Sequence, residues 1–338
     1  MHIVRFVWLA VSLLLTSGMV SITHAQDAGT KQFKLKFSTA SSPLDNHTIA
    51  IQKFKEAIEK SSNGRIKVEL FHSSSLYRQD TEAEALMRGT LEMNYTSANW
   101  LADKVPEAEM FASGYLYKDY DHMTRTLNGE VGQALFEKVV KAIGIRPLGA
   151  LYLGSRQLNY RDIGRPIRTP QDMKGVKLRM PNSPSWLFLG KALGGNPTAL
   201  NFGEIYLGLS TGTIDAQDNA LIAIKNSKFY EVTKYVTLTQ HVIDSVWPTI
   251  NEKVWQEMGP DLQKKMLEAI ATARQFNDTG NLEAERTLIE FCKQQGMIVV
   301  EPDKAAFMKA VQSAYLENKD ISGKWDMALF RRVQAIAK

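Results

Sequence analysis

The strongest constraint on this chain is an alternation of hydrophobic period. Segments with an apolar residue at every second position are followed by segments with one at every third or fourth. Phe33-Lys34-Leu35-Lys36-Phe37 has strand spacing. Thr48 to Lys60 follows at helical spacing, with Ile51, Phe54 and Ile58 on one face and Asn63-Gly64 as its stop. Ile66, Val68 and Leu70 alternate with Lys67 and Glu69, which predicts a second strand. Thr81 to Arg88 reads as a short helix closed by Gly89, and Leu91, Met93 and Tyr95 mark a third strand. This β-α-β-α-β order predicts a mostly parallel sheet with helices on both faces. A second such unit begins near Gly149, with strands at Leu151 to Leu153, Val176 to Met180 and Thr213 to Gln217, and a helix from Pro184. The chain has 338 residues, room for about two domains at roughly 150 each. The expected fold is therefore α/β and two-lobed, with a ligand cleft between the lobes.

One segment is too long for a single lobe. Pro260 to Gln295 has Leu262, Met266, Ile270 and Ala273 on one stripe, Asp261 in its first turn and Gly296 as its stop. At about 1.5 Å per residue it spans roughly 50 Å. Either one long helix runs along both lobes, bending at Gly280, or two shorter helices meet at Asn277-Asp278-Thr279-Gly280. Cys292, the single cysteine, sits near its end beside Ile289 and Phe291 and reads as a buried structural thiol.

The N-terminus has the layout of an export signal. Arg5 precedes an apolar run from Phe6 to Leu15, and Thr23-His24-Ala25 offers small residues at the −3 and −1 positions. The run falls short of the roughly 20 residues that a membrane anchor needs. Residues 1–25 are thus expected to be removed, with cleavage near Ala25.

Composition excludes several function classes. Apolar residues make up 44% and charged residues 23%, ordinary globular values. The net charge of +5 is spread along the chain, so nucleic acid is not an expected partner. With one cysteine there is no CxxC site. His47, His72, His122 and His241 have neither HxxxH nor HExxH spacing, and there is no GxSxG, Walker or GxGxxG motif. No catalytic residue, metal site or cofactor is marked.

The positive signal is basic residues at strand ends. In Gly175-Val176-Lys177-Leu178-Arg179-Met180-Pro181, Val176, Leu178 and Met180 share one face, and Arg179 is the last polar position before Pro181. Ligands of open α/β sheets bind outside the carboxyl ends of strands. Asn182 follows, then Ser183 as a natural N-cap and Pro184 as a natural first helical residue. Arg179 and Asn182 at a helix N-terminus would suit a carboxylate; an exposed arginine at a sheet edge is the other reading. Arg156 follows the strand Leu151 to Leu153 in the same way. Asn219 follows the strand Thr213 to Gln217 and could equally cap the helix Ala220 to Ile224.

These segments, in order, resemble one family. Gly154-Ser155-Arg156-Gln157, Met173-Lys174-Gly175-Val176-Lys177-Leu178-Arg179-Met180-Pro181-Asn182, Leu193-Gly194-Gly195-Asn196-Pro197-Thr198, Phe202-Gly203-Glu204-Ile205-Tyr206, Gly212-Thr213-Ile214-Asp215-Ala216-Gln217-Asp218-Asn219 and Lys228 to Tyr235 carry the resemblance. Ser73-Ser74-Ser75-Leu76 and Val105-Pro106-Glu107-Ala108 also fit. Nearly all of the mature chain is similar to the solute-binding proteins of tripartite ATP-independent periplasmic (TRAP) transporters, DctP type.

The resemblance implies a non-enzymatic periplasmic subunit. It captures a small organic acid by its carboxylate and delivers it to membrane permease subunits. Arg179 becomes the carboxylate clamp, Arg156, Asn219 and Asn182 its neighbours, and Phe202 a wall of the pocket. The implied lobes are discontinuous: 26–153 with 245–284, and 154–244 with 285–338. The acidic and basic residues of the sialic-acid-binding members correspond to Thr96 and Asn99 here, which disfavours a nine-carbon sugar acid. Trp100 and Trp247 are pocket or core residues. The family ranges over dicarboxylates, keto acids, sugar acids and aromatic acids. A periplasmic enzyme acting on an organic acid and a ligand-presenting protein for a membrane sensor are the alternatives.

Overall fold

The computed structural model describes residues 31–337, so the expected export signal and its cleavage site lie outside the described residues. The first unit is β1 (Phe33–Ser38), α1 (Asn46–Ser61), β2 (Ile66–Phe71), α2 (Glu82–Arg88) and β3 (Met93–Thr96). β2, β1 and β3 lie side by side and parallel, with Phe33 opposite Ile66 and Phe37 opposite Met93. The alternate residues Leu35, Phe37, Val68 and Met93 pack with Ile51, Phe54 and Ile58 of α1, which is why the two periods occur together. A helical stretch follows: α3 (Ala98–Leu101), α4 (Ala108–Phe111), α5 (Tyr120–Leu127) and α6 (Glu130–Ile143), then β4 (Ile145–Pro147).

The second unit contains β5 (Leu151–Tyr160), β6 (Lys177–Met180), α7 (Pro184–Ala192), β7 (Asn196–Ala199), α8 (Ile205–Thr211), β8 (Ala216–Ala220), α9 (Leu221–Asn226) and β9 (Tyr235–Thr237). The chain ends with β10 (Ile243–Asn251), α10 (Glu252–Gln294), β11 (Ile298–Val300), α11 (Lys304–Glu317), α12 (Lys319–Ser322) and α13 (Met327–Ile336). Along the main path the strand order is β2-β1-β3-β10-β5-β8-β6-β7.

Two long strands join the units. β5 pairs with β10 through Leu151 to Ser155 and with β8 through Arg156 to Tyr160. β10 pairs with β5 through Ile243 to Val246 and with β3 through Trp247 to Ile250. The register shifts between Asp244 and Ser245, a bulge that turns the strand at the crossing. Gly154 lies at this crossing with φ +122°, and a Cβ there would sit 2.6 Å from the Cβ of Ala220, so only glycine fits.

The helix α10 lies under both units. Gly259 (φ 72°) breaks it just before Pro260, and from Pro260 it runs through Gly280 to Gln294 without interruption. The reading as two helices meeting at Gly280 does not hold. That glycine serves packing instead: a Cβ there would come within 2.7 Å of Asn46 Nδ2. Leu262, Met266, Ile270 and Ala273 belong to the core around β1, whereas Leu288 and Cys292 belong to a separate core with Ile205, Ile214 and Phe229. The chain thus has a two-lobed α/β fold with a long helix spanning both lobes. Cys292 is buried, and burial pushes its thiol up to about 11.

Two strands differ from expectation. β5 is Leu151–Tyr160, not Leu151 to Leu153, so Arg156 lies inside the strand, paired opposite Ala220, rather than after its end. β8 is Ala216–Ala220, not Thr213 to Gln217. Ile214 is buried from a turn, and the polar Gln217, Asp218 and Asn219 occupy the buried strand. An apolar pattern cannot reveal a strand whose polar side chains are buried beside a cleft.

Candidate functional site

A cleft lies where the two halves of the sheet meet. It is lined from the carboxyl ends of β1, β3 and β6, from β8, and from the bulge at Asp244 and Ser245. Its empty volume, open mouth included, is about 950 Å³.

Arg179 lines this cleft from β6. Leu178 and Met180 on either side face the core, and Arg179 itself lines the cleft with 1% of the residue exposed. Its Nε donates to the Leu200 carbonyl at 2.7 Å, and Nη2 lies 3.5 Å from Gln79 Oε1. Among the described residues no carboxylate forms an ion pair with it. Burial is the main influence on its pKa, pushing it down to about 9; Asp218 partly offsets this and Arg156 adds to it. A buried cation without a counter-ion is costly, so the cleft favours an anion at this point.

Arg156 lines the cleft from the strand crossing, and both Asp218 and Asp244 pair with its fork. Nε donates to Asp218 Oδ2 at 2.6 Å, Nη1 to Asp244 Oδ2 at 2.8 Å, and Nη2 to the Asp218 carbonyl at 2.7 Å. Its guanidinium carbon lies 4.5 Å from the Trp186 ring centroid, a cation–π contact. His241 Nε2 lies 3.0 Å from Asp218 Oδ2, and Thr239 Oγ1 lies 2.7 Å from His241 Nδ1. Burial alone would raise the Asp218 carboxyl, but Arg156 and His241 outweigh it and hold the group below its ordinary value. Asp244 goes the other way, raised by burial despite Arg156.

Asn219, Phe202 and Trp100 also line the cleft. Asn219 donates its amide to Gln217 Oε1 at 2.7 Å; it lies inside β8, and Ala220 rather than Asn219 precedes α9. Phe202 meets Phe229 edge to face at 6.0 Å. Three expected residues lie elsewhere. Asn182 is exposed and donates to Asp80 Oδ2 at 3.4 Å, outside the lining. Asn99 is buried behind the wall, its amide donating to the Ala112 carbonyl at 3.1 Å. Trp247 is buried in the core, its ring 5.1 Å from Phe136 and its Nε1 donating to Ser245 Oγ at 3.0 Å. Ser183 does cap α7, accepting from the Trp186 amide at 3.4 Å, with Pro184 first in the helix.

The sequence reading named Thr96 only as a departure from the sialic-acid-binding members and missed the rest of the wall around it. Asp45 and His47 at the start of α1, Glu82 of α2 and Thr96 of β3 all line the cleft and are buried. Glu82 accepts from Ser38 Oγ at 2.7 Å, and burial pushes its carboxyl up to about 8. Thr96 Oγ1 has no hydrogen-bond partner among the described residues. Carboxylates and hydroxyls are too common for spacing to single these out. Among the described residues, no three His, Cys, Asp or Glu side chains are placed to hold a metal ion.

The comparisons agree with this geometry. The family model described as bacterial extracellular solute-binding protein, family 7 (DctP) matches residues 37–320. The sialic acid-binding periplasmic protein SiaP of Vibrio cholerae is 32% identical over 265 residues, 78% of this chain and 81% of that one. A TRAP periplasmic solute binding protein from Roseobacter denitrificans, with bound 3-deoxy-D-manno-oct-2-ulosonic acid, matches with a TM-score of 0.86 and 34% identity, covering 90% of this chain and 100% of that one. Another from the same organism, with bound L-galactonate, matches with a TM-score of 0.82 and 30% identity, covering 91% and 99%. With the fold, the cleft and a family match across most of its length in agreement, this chain belongs to family 7 of the bacterial extracellular solute-binding proteins.

Proposed function

We propose that the protein captures a small organic acid in the cleft by its carboxylate and hands it to the membrane permease subunits of a TRAP transporter. The observation that carries this is Arg179, a buried guanidinium in the cleft with no carboxylate partner among the described residues. A bidentate pair with a ligand carboxylate would supply the missing counter-charge. Arg156 is already paired with Asp218 and Asp244 and serves to position the site. The role is binding, without catalysis, as in the transport components to which the chain is similar.

The lobes that close on the ligand are 26–153 with 245–284, and 154–244 with 285–338, hinged where β5 and β10 cross. The protein works in the periplasm after cleavage near Ala25. No helix of the described residues is long and apolar enough to cross a membrane. Sialic acid, which the Vibrio relative's name gives as its ligand, is not proposed here. Thr96 lines the cleft without charge, and Asn99 does not line it.

A thermal-shift screen of the mature chain against an organic-acid library tests the reading, since a ligand of the native state raises the melting temperature. Acids that raise it in the parent and fail to do so in Arg179→Ala support the clamp. Binding of neutral sugars alone, or acid binding indifferent to Arg179→Ala, overturns it.

A further inference from the structure

We infer that the ligand is a hydroxylated monocarboxylate, of the sugar-acid class, whose hydroxyls are read by Glu82 and Thr96 on the wall formed by β1, α2 and β3. The inference rests on the carboxylate clamp at Arg179 and concerns the remainder of the same ligand.

Three observations converge. The first is charge. Among the described residues, Arg156 and Arg179 are the only lysine or arginine side chains lining the cleft, and Arg156 is already held by Asp218 and Asp244. One ligand carboxylate completes Arg179. A second would find no unpaired lysine or arginine there among the described residues, and would enter a cleft that Asp45 and Asp244 also line. Burying an unpaired carboxylate there is strongly unfavourable.

The second is an unsatisfied hydroxyl. Thr96 lines the cleft, and its Oγ1 is buried with no hydrogen-bond partner among the described residues. A hydroxyl on the ligand could both donate to it and accept from it. An apolar tail would leave it unpaired, and sites built to pair a hydroxyl reject analogues that lack one.

The third is the state of Glu82. Ser38 Oγ donates to its Oε1 at 2.7 Å, and its side chain is 4% exposed at the start of α2. Burial holds the proton on this carboxyl near neutral pH. A protonated carboxyl gives one hydrogen bond through its O–H and keeps acceptor capacity, a match for the two-way chemistry of an alcohol. Ser41, in the loop after β1, and His47 of α1 also line the cleft, with Oγ and Nε2 2.6 Å apart, and extend its polar character.

Isothermal titration of the mature chain with acids matched in carbon number tests this. The four-carbon set is D-erythronate, succinate and butyrate; the six-carbon set is D-galactonate, adipate and hexanoate. In at least one set the hydroxy acid is expected to bind about tenfold or more tightly than both counterparts. Thr96→Val and Glu82→Leu should each lower its affinity several-fold or more. Glu82→Gln, which keeps a donor and an acceptor, should stay closer to the parent. If succinate or adipate binds as tightly as the hydroxy acid and Arg179→Ala abolishes that binding, the clamp stands and the hydroxyl-reading wall falls. Equal affinity for butyrate or hexanoate, or full affinity in folded Thr96→Val and Glu82→Leu, also overturns it. If no acid binds the parent, or binding survives Arg179→Ala unchanged, the clamp and the wall fall together.

Discussion

Asn226, the last residue of α9, donates its side-chain amide to Asp45 Oδ1 at 2.8 Å, and to the Leu44 carbonyl at 3.0 Å. These partners are 181 residues apart and belong to opposite units of the fold. Weaker contacts repeat the bridge: Asn182 and Asn201 each reach Asp80 Oδ2 at 3.4 Å, and Arg78 lies 3.8 Å from Glu204. If the lobes close on the ligand as proposed, these contacts belong to the closed form of the cleft. Asn226→Ala is therefore expected to shift the equilibrium towards the open form. Loss of one partly buried hydrogen bond to a carboxylate is worth about 1–2 kcal/mol, so ligand affinity should fall about 5- to 30-fold. Small-angle scattering of the ligand-free variant should give a larger radius of gyration than the parent. An unchanged radius together with unchanged affinity would show that the contact is not a latch.

The clamp prediction concerns Arg179 itself. Arg179→Ala should cost about 2–5 kcal/mol of binding, the range for truncating one partner of a buried charge pair. That is roughly 30-fold to several-thousand-fold in affinity. Arg179→Lys should also weaken binding, because a point charge cannot reproduce the planar fork. Folding should survive both changes, since Leu178 and Met180, not Arg179, face the core. Without ligand, removing an unpaired buried cation should leave the melting temperature unchanged or higher. Calorimetric titration and thermal unfolding of both variants check the two statements. Folded Arg179→Ala binding as tightly as the parent would place the clamp elsewhere.

The two arginines also show what the sequence could and could not reveal. Arg179 was legible because β6 alternates cleanly, with Val176, Leu178 and Met180 on one side, and because Pro181 ends the strand. Arg156 was picked out as a residue after a strand end, but it lies within β5, and neither that placement nor its partners were legible. Asp218 belongs to a strand with no apolar alternation, and Asp244 sits at a bulge that no local pattern announces. Glu82 and Thr96 come from separate elements that only the tertiary fold brings to one wall. Asn182, adjacent to the clamp in sequence, points out to the rim because Ser183 and Pro184 turn the chain into α7. Trp247 was ambiguous, since an aromatic on a strand beside a cleft can face either side; it packs on Phe136.

Asp218 should matter mainly for stability. Its carboxylate and carbonyl hold three of the Arg156 contacts, and the carboxylate also lies against His241. Asp218→Asn would strand a buried guanidinium beside Asp244 alone. Breaking a buried pair by removing one partner costs about 3–5 kcal/mol. The melting temperature should fall clearly, in contrast to Arg179→Ala, although both residues belong to one site. Thermal unfolding of the two variants side by side makes the comparison. A parent-like melting temperature for Asp218→Asn would mean that the network contributes little to folding.

Glu82 should impose a pH dependence that its amide variant lacks. Its carboxyl is raised by burial from an ordinary 4.5 to about 8 in the folded protein, with Ser38 opposing the shift. Between those values the native state holds a proton that the unfolded state has released. Stability due to this group therefore falls as pH rises from about 4.5 to about 8, and levels off above. Glu82→Gln cannot ionise and escapes this loss. The difference in melting temperature, variant minus parent, should grow more positive from pH 5 to pH 8. Asp45, His47, Arg156, Arg179 and Asp244 line the same cleft but are common to both proteins, so their own titration largely cancels in the difference. Paired thermal scans in ligand-free buffer across that range provide the measurement. A difference that stays flat with pH would mean that Glu82 ionises at its ordinary value, and that its carboxyl carries no proton when the cleft is empty.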